Sequence, residues 1–370
     1  MKHKNLLTSL LFCLFLWLML LLTLLLPHRA FSELENRNLA AVPRFSAEAL
    51  FSGRWMQETE RWISDHTALR DRWVQLMGLS ERISGKRDNN GIYFAAEDTL
   101  ISRLDEPDPK LVEKNLSAIR DFAERCPVPL RFALIPTAAC VWADRLPAGA
   151  QTLDEAAWIA RLYRDFGGQT LNLVEILTAH RSEPIYYRTD HHWTTLGARY
   201  AADAVFRALE LLPLEEAELT PETVSTSFLG TASSKACAWW VRPDEITTMV
   251  PDAGIRVESS FTGKPEEGSL YVPSWLGKQN QYAYFLGGNQ PLCVLRTQAE
   301  GPKLLLVRDS YADSLAPFLC LRCSELHLID LRYYRDSVQR YIQEQGIDQV
   351  LILYSLSTFL EDPNLPLLRK

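Results

Sequence analysis

The 370-residue sequence predicts an α/β protein, a mostly parallel sheet with helices on both faces, behind one N-terminal membrane-spanning helix. Three observations predict it. Short unbroken apolar runs, PLRFALIP at 129–136, LLLV at 304–307 and QVLILY at 349–354, suit strands buried on both faces. Stretches with apolar residues at helical spacing, such as Lys110 to Cys126 and Ser337 to Glu344, fall between such runs. At the N-terminus, Leu6 to Leu26 runs 21 residues without a charge.

At about 1.5 Å per residue, that apolar run matches the roughly 30 Å hydrocarbon core of a bilayer. Pro27, His28, Arg29, Ala30, Phe31 and Ser32 follow it without an Ala-x-Ala exit, so an uncleaved anchor is expected over residues 6–26. Residues 1–5 are then a cytoplasmic tail. Lys2 and Lys4 favour an inside N-terminus, against Arg29, Arg37 and Arg44 on the other flank. A cell-membrane protein crossing once, its main domain extracytoplasmic, is the resulting expectation. The net charge of −7 lacks the basic footprint that nucleic-acid binding needs.

Residues 27–88 read as a membrane-proximal linker and helices. The linker SELENRNLAAVPRFS is polar, and from Ala47 to Ile83 Trp55, Trp62, Leu69, Trp73, Leu76 and Leu79 recur at mixed three- and four-residue spacings. These aromatics are expected to pack onto the main domain. That domain, residues 89–370, opens with the turn Asn89-Asn90-Gly91 and the strand Ile92–Phe94. Helices are expected at Lys110–Cys126 and Glu155–Phe166, and a strand at Leu171–Ile176 leading into a short helix. After Ile185-Tyr186-Tyr187 and TDHHW, Thr194 can cap a helix through Leu209. An irregular β-rich insertion spans about 219–292, with strands at Gly268–Tyr271 and Tyr282–Phe285. Strands at Leu304 and Glu325–Asp330 and the run at 349–354 complete the pattern.

Two places carry candidate chemistry. Ser310 follows the LLLV strand and precedes an amphipathic stretch, where a turn exposes a hydroxyl and helix N–H groups can hold an oxyanion. Asp190 and His192 are one residue apart, so an extended segment puts both on one face. A carboxylate accepting from Nδ1–H leaves Nε2 free to take a serine proton. The plainer alternatives are a solvated turn before a capped helix for DHH, and an N-cap for Ser310. Asp190, His191 and His192 could also ligate a metal, but no partner motif stands elsewhere, and no metal or cofactor is expected. Among the seven cysteines, Cys320 and Cys323 have a redox or half-zinc spacing without a second pair, and read as buried free thiols.

At these residues the sequence resembles a family. TDHHWTTLGARYAADAV looks like the signature of the DHHW proteins, supported by SELENRNLA, NNGIYF, SFLGTASSKA, FLGGNQPL and LLLVRDSYADSLAPFL. That family is similar to the SGNH-hydrolase-like proteins of bacterial alginate O-acetylation, in which an Asp-x-His motif precedes the nucleophilic serine. The resemblance implies a three-layer α/β/α SGNH-like fold, with Asp190, His192 and Ser310 as a triad. It further implies acetyl transfer to a cell-envelope polysaccharide and a multi-pass membrane O-acyltransferase partner. The usual Gly-Asp-Ser is Arg308-Asp309-Ser310 here. Gly288, Asn289 and Gly230 are the oxyanion-donor candidates, because backbone and amide N–H groups suit that task.

The expected activity is an extracytoplasmic serine O-acetyltransferase, or an esterase if water is the acceptor. The alternative is a non-catalytic glycan-binding or assembly protein, with Trp239, Trp240 and Trp275 available to stack on sugars. A Ser310–His192–Asp190 hydrogen-bond chain would discriminate between them.

Overall fold

A computed structural model describes residues 2–32 and 37–370, with side chains from Leu6 onward. Residues 33–36 of the linker, and the side chains of Lys2 and Lys4 on which the charge argument drew, lie outside the described residues. The chain forms two compact units, one of residues 1–89 with 234–240, the other of residues 90–233 with 241–370.

The first unit begins with α1 (Lys2–Leu25). Within it, Leu6–Leu25 is the one helix among the described residues long and apolar enough to cross a membrane. The single helical pattern at 47–83 is three helices, α2 (Ala47–Phe51), α3 (Arg54–His66) and α4 (Arg70–Ile83). The breaks fall at Gly53 and Leu69, both in the left-handed region with φ of 75° and 59°. Ser46 caps α2 by accepting from Ala49 N–H. Trp73, Leu76, Met77 and Ile83 of α4 are exposed, which sequence periodicity did not predict.

The second unit is built on an eight-stranded sheet. In chain order its strands are β1 (Leu130–Ile135), β2 (Thr170–Asn172), β3 (Arg256–Ser259), β4 (Glu266–Gly268), β5 (Leu292–Arg296), β6 (Lys303–Arg308), β7 (Glu325–Ile329) and β8 (Gln349–Ser355). In space the order is β4-β3-β5-β7-β6-β8-β1-β2. The pairs from β7 to β2 are parallel, and β4, β3 and β5 add antiparallel to the β7 edge. Three strands from or bordering the stretch at 219–292 therefore extend the sheet, while Glu222–Phe228 and Asp244–Thr248 pair antiparallel outside it. Tyr282–Phe285 is not a strand either. Gln281–Tyr284 is a 3₁₀ turn, and Phe285 makes only an isolated bridge to Tyr271.

Alternation along the central strands makes the layers. Leu304 and Leu306 face one apolar core and Leu305 and Val307 the other, which is why the run is unbroken. On one face pack Ala201, Val205 and Phe206 of α6 (Thr195–Ala208), with Leu315 and Phe318 of α7 (Ala312–Leu319). Leu116, Ile119 and Phe122 of the Pro109–Arg125 helix cover the other, with Val338 and Ile342 of the Val338–Gln345 helix. The result is α/β/α. Local signals hold where they are strong: Asp108 caps the 109–125 helix with Pro109 at its first position, and Thr194 caps α6 by accepting from Gly197 N–H. Asn90 and Gly91 both take positive φ, 49° and 76°, at the turn into the antiparallel pair Ile92–Ala95 and Thr99–Ser102. All seven cysteines are free thiols, and Cys293, Cys320 and Cys323 are buried.

Candidate active site

Ser310 stands two residues past the end of β6, at the carboxyl edge of the sheet where α7 begins. Asp309 shapes that turn. Its Oδ1 accepts from Tyr311 N–H at 3.0 Å, and its Oδ2 accepts from Ser355 N–H and Oγ–H at 2.8 and 2.6 Å. One buried carboxylate thus ties the ends of β6 and β8 together immediately before the serine. Arg308, where glycine is usual, is fully buried, with Nη1 at 2.8 Å from Asp313 Oδ1 and donating at 3.3 Å to Asp309 O.

Asp190 and His192 reach Ser310 from a turn and not from an extended strand. Tyr186 and Trp193 form an isolated bridge, Tyr187 N–H donates to His192 O at 3.1 Å, and the chain bends between them. Asp190 Oδ1 accepts His192 N–H at 3.1 Å and His192 Nδ1 lies 2.5 Å from it. The turn therefore folds the imidazole back onto its own carboxylate. A carboxylate can only accept, so Nδ1 carries the proton and Nε2 is the acceptor for Ser310 Oγ at 2.8 Å. Asp190 and His192 are buried, while Ser310 is half-buried and reachable.

Residues that sequence spacing did not single out complete the arrangement. Thr231 N–H and Oγ1 both donate to Asp190 Oδ2, at 2.7 and 2.9 Å, and Thr231 Oγ1 accepts from His191 Nδ1 at 2.6 Å. Tyr282 stacks on the His192 ring, centroids 3.8 Å apart and planes 9° apart. Its hydroxyl donates to Ser310 O at 3.1 Å and meets Ser314 Oγ at 3.0 Å. Trp193 is buried with Nε1–H shared between Tyr311 O and Ser314 Oγ, each 3.0 Å away. Behind the turn, Asp244 accepts from Arg188 N–H, Thr189 N–H and Thr189 Oγ1. Thr231, Tyr282 and Asp244 lie far from DHH and RDS in the chain, so only chain folding reveals them.

Electrostatics follow from this wiring. Burial alone would raise the Asp190 carboxyl, but His191, His192 and the Thr231 N–H outweigh it and hold it well below the usual range. Burial pushes the Asp313 carboxyl up to about 7 against the pull of Arg308, and lifts the Tyr282 phenol well above its ordinary value.

The oxyanion-donor candidates fare unequally. Gly230 N–H donates to Thr189 Oγ1 at 3.1 Å, and a Cβ there would collide with Asp190 Cβ and Oδ2. It is a glycine of close approach. Gly288 N–H donates weakly, at 3.4 Å, to Phe285 O in a turn where Gly287 and Gly288 have φ of 78° and 101°. Asn289 Oδ1 accepts from Arg332 Nη2 at 3.2 Å, an arginine itself held by Asp330. Neither residue hydrogen-bonds to Ser310, His192 or Asp190. Asp190, His191 and His192 do place potential ligand atoms within 4.8 Å of one another. Asp190 Oδ2 and His192 Nε2 accept hydrogen bonds from Thr231 and Ser310, and His191 Nδ1 donates to Thr231 Oγ1.

Residues 92–238, which include Asp190, His192, Gly230 and Thr231, match the family model described as "SGNH hydrolase-like domain, acetyltransferase AlgX". No curated protein matches the chain. Among solved structures, a DHHW family protein from Eubacterium siraeum DSM 15702 is 24% identical, with a TM-score of 0.64 over 76% of this chain and 96% of that one. Bacillus cereus PatB1 with a sulfonyl adduct is 20% identical, with a TM-score of 0.62 over 74% of this chain and 96% of its own. The fold is therefore SGNH hydrolase-like, and over residues 92–238 the chain is similar to the AlgX-type acetyltransferase domain.

Proposed function

We propose that the protein is a membrane-anchored serine O-acetyltransferase acting on a cell-envelope polysaccharide, with Ser310 as nucleophile, His192 as general base and Asp190 as its orienting carboxylate. One observation carries the reading, the hydrogen-bond chain from Asp190 Oδ1 through both ring nitrogens of His192 to Ser310 Oγ at 2.5 and 2.8 Å. The match of residues 92–238 to an acetyltransferase domain supports acetyl as the acyl group.

Ser310 Oγ attacks the carbonyl carbon of an acetyl donor while its proton passes to His192 Nε2. Asp190, held anionic by its partners, stabilises the imidazolium. Ser310 N–H has no hydrogen-bond partner among the described residues and precedes α7, so it would be available to the oxyanion. Collapse expels the donor's leaving oxygen or sulfur with the proton from His192, leaving acetyl on Ser310. A glycan hydroxyl then gives its proton to His192 Nε2 and attacks the acetyl carbon. Ser310 Oγ departs and recovers the proton. Water in place of the sugar makes the reaction an esterase.

The span Leu6–Leu25 would hold the catalytic unit at the outer membrane face, where a multi-pass O-acyltransferase could supply the acetyl group. The test is the full chain in detergent with an acetyl-ester reporter, wild type beside Ser310→Ala. Release that vanishes with the serine, with acetyl trapped on the Ser310 peptide by mass spectrometry, is the expected result. Equal rates in both proteins, or acetyl on another residue, would overturn the assignment and favour a glycan-binding role.

A further inference from the structure

Helix α4 exposes large apolar side chains. Viewed down its axis, Leu69, Trp73, Leu76, Met77 and Ile83 share one face by three- and four-residue steps, with Ser80 among them and Arg72 at its border. That face is exposed, Leu76 at 55% and Ile83 at 77%. The opposite face carries Asp71, Gly78 and Arg82. Gly78 is buried so tightly that a Cβ would lie 2.7 Å from Cys237 O, and Arg82 sits over the Trp240 ring at 5.2 Å. A water-facing helix turns its large apolar residues inward.

The stripe continues the surface of α1. Trp73 meets Phe15 of the apolar span edge-to-face, centroids 6.5 Å apart. Ala68 N–H donates to Thr23 Oγ1 of the span at 2.9 Å, and Arg29, just beyond it, pairs with Asp71 at 2.9 Å. Whatever medium covers the apolar side chains around Phe15 therefore reaches Trp73 without a polar break.

We propose that the outward apolar face of α4 is covered by lipid alongside α1 and is not a bare solvent face. The inference rests on the reading that α1 crosses a membrane. It gives the first unit two contacts with the bilayer, a span and a lipid-facing helix beside it.

The test uses the full chain in phosphatidylcholine–phosphatidylglycerol vesicles, with an environment-sensitive fluorescent amino acid at one site per variant. Sites 76 and 83 report the stripe, site 82 the opposite face and site 14 the span. All four side chains are exposed in the protein, and only site 82 gives up a contact, that with Trp240. Quenching at 76 and 83 severalfold stronger by acyl-chain nitroxide lipid than by aqueous iodide, with the reverse at 82, is the expected pattern. Iodide quenching at 76 and 83 matching that at 82 would overturn the inference while lipid quenching at 14 leaves the anchor intact. Protection of 76 and 83 from both quenchers would place a second copy of the chain there and overturn it equally. Iodide access at 14 would remove the anchor and the inference together.

Discussion

Arg308 and Asp313 form a buried ion pair, 2.8 Å apart, that straddles Ser310 from two residues before it to three after it. The guanidinium replaces a glycine's tight turn with an electrostatic tie across the strand-to-helix bend. Arg308→Met should strand Asp313 in the core and lower stability by about 3–5 kcal/mol, as for removal of one partner of a buried pair. Arg308→Met with Asp313→Leu should recover much of that loss, measured by urea denaturation as a double-mutant cycle. Additive losses would show that the pair is not coupled.

Gly230 should be as sensitive as a catalytic residue without touching the reacting atoms. The Cβ of Gly230→Ala would invade the space of the Asp190 carboxylate. Displacing it by a fraction of an ångström should lower kcat roughly 100-fold, with KM little changed. An unchanged kcat in a folded variant would mean that the carboxylate is not needed in this position.

Asp190→Asn keeps the shape of the turn but offers His192 Nδ1 an amide, and the favoured tautomer is lost. Acetyl-ester turnover should fall about 10³–10⁴-fold with little change in melting temperature. A fall below tenfold would remove the orienting role from Asp190.

Tyr282 separates stacking from hydrogen bonding. Tyr282→Phe retains the ring on His192 and loses the bonds to Ser310 O and Ser314 Oγ, so kcat should drop about tenfold or less, the scale of one or two neutral hydrogen bonds. Tyr282→Ala frees the imidazole and should lose considerably more. Equal losses in the two variants would assign the whole effect to the hydroxyl.

Glu155 supplies a pH signature of stability. Burial raises its carboxyl to about 7, against hydrogen bonds from Thr137 N–H at 2.8 Å and Oγ1 at 2.5 Å. The folded state therefore holds a proton that the unfolded state releases above its ordinary value of 4.5, and stability declines as pH rises from 4.5 through 7. Glu155→Gln, whose amide can donate to Thr137 Oγ1 and accept from Thr137 N–H, should remove that slope. Its chemical-denaturation advantage over wild type should grow by up to about 3 kcal/mol between pH 4.5 and 7. Parallel pH profiles would assign the slope to other groups.

Much of this protein is local and was legible in the residues. Leu304–Val307 had to be a two-faced strand because four apolar side chains in a row cannot alternate with water. Thr194 capped α6 and Asp108 with Pro109 opened the 109–125 helix because capping involves neighbours in sequence. Asp190, His192 and Ser310 were singled out by residue type and placement, although the turn that joins the first two was read as an extended segment. The strands at 256–259 and 292–296 were harder to place, since short antiparallel strands are defined by partners far along the chain.

Residue type and spacing thus determined the apolar span, the alternation of strands and helices and the choice of three candidate side chains, because each depends on interactions within a few residues. Tertiary structure alone decided that Thr231 and Tyr282 hold the acid and the imidazole, that Gly230 spends its N–H on Thr189, and that Arg308 turns inward to Asp313. Those partners lie 41, 90, 41 and 5 residues apart. For the first three, no local pattern spans the separation. For the fourth, burial selects the ion pair from a charge spacing that would be unremarkable on a surface.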